Sequence, residues 1–372
     1  MSKKIIIAVI ILIIAACAAG FLAYKNIFQP GQPEGERGSG EFPFGGAPPG
    51  EGGTSGEEKT GAKDEEIPQP PTGKVSIYKG FWMPCGFYYD YPCQSMADPK
   101  DLKDAGANIA SIAPNVKINS RGEAKFEAPM DYIEQALAYW AKKYYENNIR
   151  ISLVIEVTYQ KEFTSEGGGE PQPIPRDIAN QPGFLTEYNK IVANVAKLAE
   201  KYKVEIFSPM NEPDLKLGES VASQWGQQIL PVVKQYYNGK ILWKAAGSAL
   251  DKYDTNFKGY DIIGFDPSPG GGPFNQSINI YKTVLDNLIS TAQSRATRDG
   301  VAEVMITEFG VWGGALSFTE QQKLLAHKIV FEQGQGKVSG FFVLDPPPDL
   351  DRGLAGTQTL AEIKSWFATL GN

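Results

Sequence analysis

Histidine, cysteine and positive charge are all scarce in this sequence. The 36 Lys and Arg residues are outnumbered by 43 Asp and Glu, for a formal net charge of −7, and this argues against a nucleic-acid partner because a phosphate backbone requires a basic face. The one histidine, His327, lies in a helical pattern and argues against both a zinc centre and a Ser-His-Asp triad. We therefore expect no metal, no cofactor and no nucleic-acid partner.

The three cysteines divide between two places in the chain. Cys17 lies in an apolar N-terminal run, whereas Cys85 and Cys93 flank a short aromatic segment. Two cysteines this close in one loop of an exported chain favour a disulfide over a metal site, since no histidine lies nearby. We expect a Cys85–Cys93 disulfide.

A glycine-rich phosphate-binding loop is also absent from the sequence. Residues 167–169 and 270–272 are glycine triplets, but neither is followed by the Lys-Ser/Thr pair or the helix start that such a loop requires. Both triplets are interpreted as ordinary loops.

The N-terminus, in contrast, has a long run without charge. Residues 5–24 contain no Asp, Glu, Lys or Arg, and a helix of that length would span about 30 Å, the thickness of a bilayer core. Two lysines precede the run and favour export of the rest of the chain. Residues 1–27 are consistent with an uncleaved transmembrane anchor, a lipoprotein segment modified at Cys17, or a cleaved signal peptide. The expected location is extracytoplasmic, either membrane-anchored or secreted.

Residues 28–72 are rich in Gly, Pro, Glu and Ser. A segment of this composition cannot bury enough apolar surface to fold. We expect a disordered linker that holds the following domain, residues 73–372, away from the membrane.

From residue 73 onward, short apolar runs alternate with longer amphipathic patterns, as in repeated βα units. Eight such units predict an α/β fold, the (β/α)8 TIM barrel, and the alternative of a doubly wound open sheet is disfavoured because the phosphate loop is missing. The predicted strands are Val75–Trp82, Asn108–Ala113, Ile149–Val157, Val204–Met210, Ile241–Ala246, Ile262–Asp266, Glu303–Thr307 and Gly340–Leu344. The predicted helices include Met130–Asn147, Leu185–Lys201, Ile278–Ala296, Thr319–Gly334 and Leu360–Leu370.

Two of the predicted strands are followed by a glutamate. The fourth strand leads into Asn211-Glu212-Pro213, and the seventh leads into Glu308. Active sites of TIM barrels are built at the carboxyl ends of the strands, and two carboxyl groups there can cleave a glycosidic bond, one as acid and the other as nucleophile or base. Each residue alone also has a structural explanation, since Pro213 is typical of the first position of a helix and Glu308 could bind backbone groups.

Asn-Glu-Pro after the fourth strand and Thr-Glu-Phe-Gly after the seventh together resemble retaining glycoside hydrolases of the (β/α)8 clan A, which includes families 5, 53 and 113. The resemblance implies that Glu212 is the acid/base, that Glu308 is the nucleophile and that Asn211 binds the sugar 2-hydroxyl. It also implies a β-linked glucan, mannan or galactan as substrate. The chain departs from this clan at the end of the second strand, where Ala113-Pro114-Asn115 replaces an arginine, and in the eighth strand, which lacks a tryptophan.

Other residues at the same predicted face of the barrel are candidates for sugar binding. Their aromatic rings can stack on sugars and their polar groups can bind hydroxyls, although solvation in a loop is the alternative for each polar group. The candidates are Trp82, Trp312, Glu156, Tyr159, Asp266, Asp345 and, in the loop between the paired cysteines, Tyr88 and Tyr89.

The sequence thus favours a monomeric glycoside hydrolase whose partner is a polysaccharide or oligosaccharide substrate, with the membrane contacted through the N-terminal segment. Transglycosylation is a second possibility, because it uses the same covalent intermediate. A third is a non-catalytic carbohydrate-binding protein on a degenerate barrel, because several residues of the clan are missing.

Overall fold

The computed structural model describes residues 67–84, 86–87, 95–160, 174–267, 278–310, 319–346 and 353–371. In chain order, its strands are β1 (Tyr78–Met83), β2 (Ile109–Ile112), β3 (Asn115–Ile118), β4 (Ala124–Phe126), β5 (Arg150–Val154), β6 (Glu156–Tyr159), β7 (Ile206–Ser208), β8 (Lys240–Ala246), β9 (Ile262–Asp266), β10 (Glu303–Phe309) and β11 (Gly340–Leu344). Its helices are α1 (Pro99–Asp104), α2 (Met130–Glu146), α3 (Arg176–Ala179), α4 (Pro182–Lys201), α5 (Pro213–Leu217), α6 (Glu219–Lys234), α7 (Gly247–Leu250), α8 (Ile278–Asp299), α9 (Glu320–Gly334) and α10 (Gln358–Thr369).

Eight parallel strands form a closed barrel in the order β1, β2, β5, β7, β8, β9, β10 and β11. β1 closes it by pairing with β2 on one side and with β11 on the other, where Tyr78 lies opposite Gly340. Strands of a barrel surrounded by helices are buried on both faces and are therefore nearly continuous apolar runs, which is why the sequence locates them. The predicted (β/α)8 barrel is confirmed.

The third predicted strand, 149–157, needs a correction. It divides at Ile155 into β5, which stays in the barrel, and β6, which joins a separate three-stranded sheet in the order β4, β3, β6. β3 pairs antiparallel with β4 and parallel with β6, where Asn115 lies opposite Glu156. Strands of three or four residues carry too little pattern to be found from sequence, and this small sheet begins at the mouth of the barrel.

Side chains from alternate strand positions fill the barrel, which is a packed core rather than a pore. Along β8, Leu242 points inward and Trp243 points outward, where Trp243 packs against Phe257 and Tyr260 of the surrounding layer. The inner cluster consists of Tyr78, Trp82, Ile109, Ala113, Val154, Ile206, Leu242, Ile262, Met305, Phe342 and Leu344. By the same alternation, Lys240 and Lys244 also face the interior, near the two ends of the barrel.

The N-terminal segment and most of the predicted linker lie outside the described residues. Within the part of the chain that is described, no helix is long and apolar enough to cross a bilayer. Ile67 packs partly buried against the core, and Arg150 Nη2 donates to the Gly73 carbonyl at 3.1 Å. Contacts with the barrel therefore begin a few residues before the predicted boundary at residue 73.

His327 lies in α9, as its helical pattern predicts, and the structure shows that it is buried there. Its side chain is 2% exposed, and the ring packs against Phe309 with 5.5 Å between ring centroids. Nδ1 lies 2.7 Å from the Lys323 carbonyl oxygen, so Nδ1 carries the proton in the neutral ring. Burial lowers the pKa of His327 to about 4, from an ordinary value of 6.5.

We expect the depressed pKa of His327 to make the protein less stable in acid. The unfolded chain binds the proton below pH 6.5 and the folded chain only below about 4, so the stabilisation is complete above pH 6.5 and is lost as the pH falls to 4, by about 3 kcal/mol. Urea unfolding of the wild type and of His327→Leu at several pH values measures the difference. Since the chain has one histidine, a difference that does not change with pH would contradict the assignment.

Candidate active site

Glu212 lies shortly after the fourth barrel strand, β7, and is the N-cap residue of α5. Its backbone is left-handed, with φ 46° and ψ 54°, a conformation uncommon outside glycine. Backbone hydrogen bonds hold it, from Asn211 N to the Ile155 carbonyl at 2.8 Å and from Glu212 N to the Lys244 carbonyl at 2.9 Å, while Pro213 starts the helix. Strained residues held in this way occur at functional sites, so the structural role of the Asn-Glu-Pro turn and a chemical role for Glu212 are compatible.

The surroundings of Glu212 favour a protonated carboxyl group near neutral pH. Burial raises its pKa, the positive charge of Lys244 lowers it, and the negative charge of Glu308 raises it, so that it titrates at about 7 rather than at 4.5. The residue remains partly exposed. A carboxyl group that titrates near the working pH can both give and take a proton.

Glu308 lies in the seventh barrel strand, β10, and faces Lys244 of β8. Lys244 Nζ donates to Glu308 Oε2 at 2.9 Å, and the exposed fractions of the two side chains are 1% and 16%. A charge-assisted hydrogen bond away from bulk water orients a carboxylate and stabilises its negative charge. Glu308 is therefore held in place by a buried cationic hydrogen-bond donor.

An irregularity in β10 turns Glu308 toward this cluster. The pairing register of β10 with β11 shifts between Ile306 and Phe309, as at a β-bulge, which re-aims side chains. In a regular strand, Thr307 and Glu308 would point to opposite faces. Here Glu308 contacts Lys244, and Thr307 Oγ1 donates to Asp266 Oδ1 of the same cluster at 2.8 Å.

Asp266, at the end of β9, binds the other side of Lys244. Its Oδ2 accepts a hydrogen bond from Lys244 Nζ, and the residue is 6% exposed. Gly264 makes the arrangement possible, because a Cβ there would collide with Thr307 Cγ2. The sequence predicts Asp266 as a ligand for sugar hydroxyls, but both of its oxygens are engaged in holding Lys244 and Thr307.

Trp82, at the end of β1, lies against the same lysine. Lys244 Nζ is 4.7 Å from the centroid of the indole, and Trp82 is 1% exposed. A cation over an aromatic face is attracted to it. The predicted stacking surface for a sugar is therefore occupied from one side by Lys244, and the indole supports that side chain.

Burial alone would lower the pKa of Lys244, but the charges of Asp266, Glu308 and Glu212 raise it above the usual range for lysine. The side chain is therefore a permanent cation among three carboxyl groups. Sequence reasoning missed it. The signal was present, since a lysine inside the apolar strand Ile241–Ala246 is expensive to bury without a charged partner.

A second buried cluster surrounds Asn211. Its Nδ2 donates to Glu156 Oε2 at 2.5 Å, and Glu156 Oε1 lies 3.1 Å from Lys216 Nζ. Because a carboxylate only accepts hydrogen bonds, Glu156 fixes which end of the amide faces it. The Asn211 Oδ1 atom is buried and has no hydrogen-bond partner among the described residues. Glu156, predicted to bind sugar directly, lies behind Asn211.

Asp345 and Tyr159 have structural contacts. Asp345 is fully buried and accepts hydrogen bonds from Ser95 Oγ at 2.7 Å, from Met96 N at 2.8 Å and from Leu354 N at 3.0 Å, so it ties two loops to the end of β11 instead of facing a sugar. Tyr159, at the far end of β6 from Glu156, packs against the hydrophobic core.

Asp214 is a further buried carboxyl group, which no sequence pattern singled out. It is 1% exposed, and its Oδ1 accepts from Ala246 N at 3.2 Å and from Leu215 N at 3.0 Å. Burial raises its pKa to about 6. The contact joins α5 to the end of β8, the two elements that hold Glu212 and Lys244.

The remaining predicted site residues lie outside the described part of the chain. They are Trp312, Tyr88, Tyr89 and the cysteines Cys85 and Cys93. Their roles, including the disulfide, stay predictions.

No protein-family model matches the chain, and no curated protein matches it in sequence. Solved structures, however, share its fold. A GH113 β-mannanase from Alicyclobacillus acidocaldarius aligns over 81% of this chain and 99% of its own, with 12% identity and a TM-score of 0.59. A GH113 β-1,4-mannanase aligns over 80% and 100%, with 15% identity and a TM-score of 0.58.

Endo-glycoceramidase II from a Rhodococcus species also shares the fold. It aligns over 81% of both chains, with 16% identity and a TM-score of 0.56. Because these identities are low, the similarity is one of fold. At the level of the fold, the resemblance to clan A glycoside hydrolases is confirmed.

Proposed function

We propose that the protein is a retaining glycoside hydrolase that cleaves β-glycosidic bonds, with Glu212 as acid/base and Glu308 as nucleophile. The observation that carries the proposal is the contrast between the two carboxyl groups. Glu212 titrates at about 7, whereas Glu308 is hydrogen-bonded to a buried lysine at 2.9 Å. Two carboxyl groups with opposite environments at one barrel mouth are suited to opposite roles.

In the first step, protonated Glu212 gives its proton to the glycosidic oxygen while Glu308 attacks the anomeric carbon. The bond to the leaving alcohol breaks, and an ester between Glu308 and the sugar forms. In the second step, Glu212, now a carboxylate, takes a proton from water, and the hydroxyl oxygen displaces Glu308 from the anomeric carbon. Two displacements with inversion leave the product in the configuration of the substrate.

The electrostatics of the pair support this cycle. The negative charge of Glu308 raises the pKa of Glu212, and that charge disappears when Glu308 becomes an ester. The pKa of Glu212 then falls, so that the carboxylate form needed as base in the second step is favoured.

A β-linked polysaccharide or oligosaccharide is the proposed substrate class. The similar solved structures include β-1,4-mannanases and an endo-glycoceramidase by their descriptions, so β-mannan is the first glycan to test, beside glucan and galactan. The free Asn211 Oδ1 is the proposed acceptor for a sugar hydroxyl. The proposal includes no cofactor.

The proposals about the N-terminal segment, the linker, the cysteine loop and Trp312 rest on the sequence alone. We propose a monomer outside the cytoplasm, tethered or exported through residues 1–27 and extended by the linker 28–72. A Cys85–Cys93 disulfide would hold Tyr88 and Tyr89 near the barrel mouth, and Trp312 would provide a stacking surface from the loop after β10.

We expect hydrolysis of at least one β-glycan in this panel, with the β-anomer of the new reducing end appearing first. Proton NMR at early times distinguishes it from the α-anomer before mutarotation mixes them. Appearance of the α-anomer first would contradict a retaining mechanism. Binding without new reducing ends would instead favour a carbohydrate-binding protein, and longer products with an added acceptor sugar would identify transglycosylation.

A further inference from the structure

We propose that Lys244 is the positioning residue of the catalytic pair. Its side chain fixes the Glu308 carboxylate for attack, and its backbone carbonyl holds the backbone of Glu212. The inference rests on the proposed function. It adds a residue from the fifth barrel strand to a pair that comes from the fourth and the seventh.

Lys244 touches both catalytic residues with different atoms. Its carbonyl oxygen accepts the hydrogen bond from Glu212 N at 2.9 Å, and its Nζ donates to Glu308 Oε2 at 2.9 Å. The carbonyl contact helps to hold Glu212 in its left-handed conformation, and the Nζ contact orients the nucleophile. One residue thus contacts both members of the pair and contributes to their relative placement.

The lysine head group is itself held on several sides. Asp266 binds it from β9, Glu308 binds it from β10, the ring of Trp82 lies beneath it on β1, and the charge of Glu212 acts on it from the loop after β7. A surface lysine contributes little because its long side chain must be ordered at the time of contact. Lys244 is 1% exposed and is already ordered, which is the condition for precise positioning.

Asp266 gives Lys244 a partner that does not take part in the reaction. When Glu308 forms the ester, it loses the charge that faces Lys244. Asp266, held in turn by Thr307 Oγ1 at 2.8 Å, remains and prevents an unpaired buried cation, which would be costly. Lys244 therefore stays in place through both steps and is ready for Glu308 when the ester is hydrolysed.

No other described residue donates from a cationic side chain to Glu308. The end of β2, Ala113-Pro114-Asn115, leads into the small sheet, where Asn115 pairs with Glu156. The residues after β2 therefore form part of the small sheet, and the cation that contacts Glu308 is Lys244 of β8.

Three variants test the role. Lys244→Met removes the charge but keeps a long apolar stem, Lys244→Arg keeps the charge and displaces it, and Lys240→Met is the control. Lys240 lies on the same strand at the opposite end of the barrel, where its Nζ donates to Glu303 Oε1 at 2.5 Å and to the Tyr78 hydroxyl at 3.0 Å. It also forms an ion pair at the barrel, although a more exposed one than that of Lys244, and it contacts neither catalytic residue.

For Lys244→Met we expect kcat to fall by about 10²- to 10³-fold, the range for loss of a group that stabilises charge in the reaction, with little change in KM. The alkaline limb of kcat/KM should move to higher pH, because the charge of Lys244 lowers the pKa of Glu212. Lys244→Arg should restore part of kcat and return the alkaline limb toward the wild-type position. Lys240→Met should leave the pH profile unchanged, whatever its effect on the melting temperature.

Wild-type kcat in a folded Lys244→Met protein would overturn the inference, and so would a fall in kcat with an alkaline limb that does not move. If this variant does not fold, Asp266→Asn decides the question, since it keeps the shape of the anchor and removes its charge. A reduced kcat at unchanged KM is then expected, and a wild-type kcat overturns the inference. If the wild type itself cleaves no β-glycoside, the proposed function fails first, so the two failures are distinguishable.

Discussion

Replacing Glu308 with alanine is expected to lower kcat/KM for β-glycosides by about 10⁴-fold or more, the loss typical of a missing nucleophile. The variant retains Glu212 and Lys244, so it still binds substrate but cannot form the ester. The cavity left by the carboxylate can admit a small anion. With azide, we expect slow formation of the α-glycosyl azide, because a single displacement on a β-glycoside inverts the anomeric carbon. Product NMR identifies the anomer.

Glu303→Ala is the matched control for this experiment. Glu303 also lies on β10, but at the opposite end, where it accepts from Lys240 Nζ at 2.5 Å. We expect loss of that ion pair to lower the stability and to leave the chemistry unchanged. If Glu308→Ala cleaved glycosides at the wild-type rate, or if azide gave the β-azide, Glu308 would not be the nucleophile.

The second large effect is expected for Glu212→Ala, and it should depend on the leaving group. A sugar alcohol leaves poorly without a proton, so kcat/KM on oligosaccharides should fall by about 10²- to 10⁴-fold, the usual contribution of a general acid. A dinitrophenolate needs no proton, so the first step on dinitrophenyl β-glycosides should proceed at nearly the wild-type rate. The ester then accumulates, and azide should release it as the β-glycosyl azide.

The pH dependence gives an independent check on Glu212. Its raised pKa, about 7, means that the acid form required for the first step is present below this pH and is lost above it. The wild-type kcat/KM on oligosaccharides should therefore decline above pH 7, with the limb absent for Glu212→Ala on dinitrophenyl substrates. Glu205→Gln, at the other end of the fourth strand, should keep the limb. A limb that persists in Glu212→Ala would assign it to a different group.

The positions of Glu212 and Glu308 were predictable because they depend on local signals. A buried parallel strand is a short apolar run, and the residue that follows it lies at the carboxyl edge of the sheet. The runs before Asn211 and around Thr307 are of this kind. Counting eight of them places both glutamates at one end of a barrel before any contact is known.

Local sequence patterns do not reveal the different roles of Glu156, Asp266 and Asp345. In the sequence, each is an acidic residue at or just beyond a predicted strand, and the three cannot be distinguished. In the fold, Glu156 holds Asn211 and Lys216, Asp266 holds Lys244, and Asp345 fastens two loops. Their partners lie on other strands and loops, so no local pattern distinguishes a carboxylate that binds sugar from one that supports a neighbour.

The contacts of Lys244 depend most strongly on the tertiary structure. Its partners Asp266 and Glu308 are 22 and 64 residues away in sequence, and it meets them because β8, β9 and β10 are neighbours in the closed barrel and because β10 is irregular at Glu308. Hydrophobic periodicity is a local property of the chain, and it was sufficient for the eight barrel strands and for placing the two glutamates, but not for the small sheet of β3, β4 and β6. Charge interactions act through space, so the pKa of Glu212 near 7 and the cation that faces Glu308 exist only once the barrel has closed.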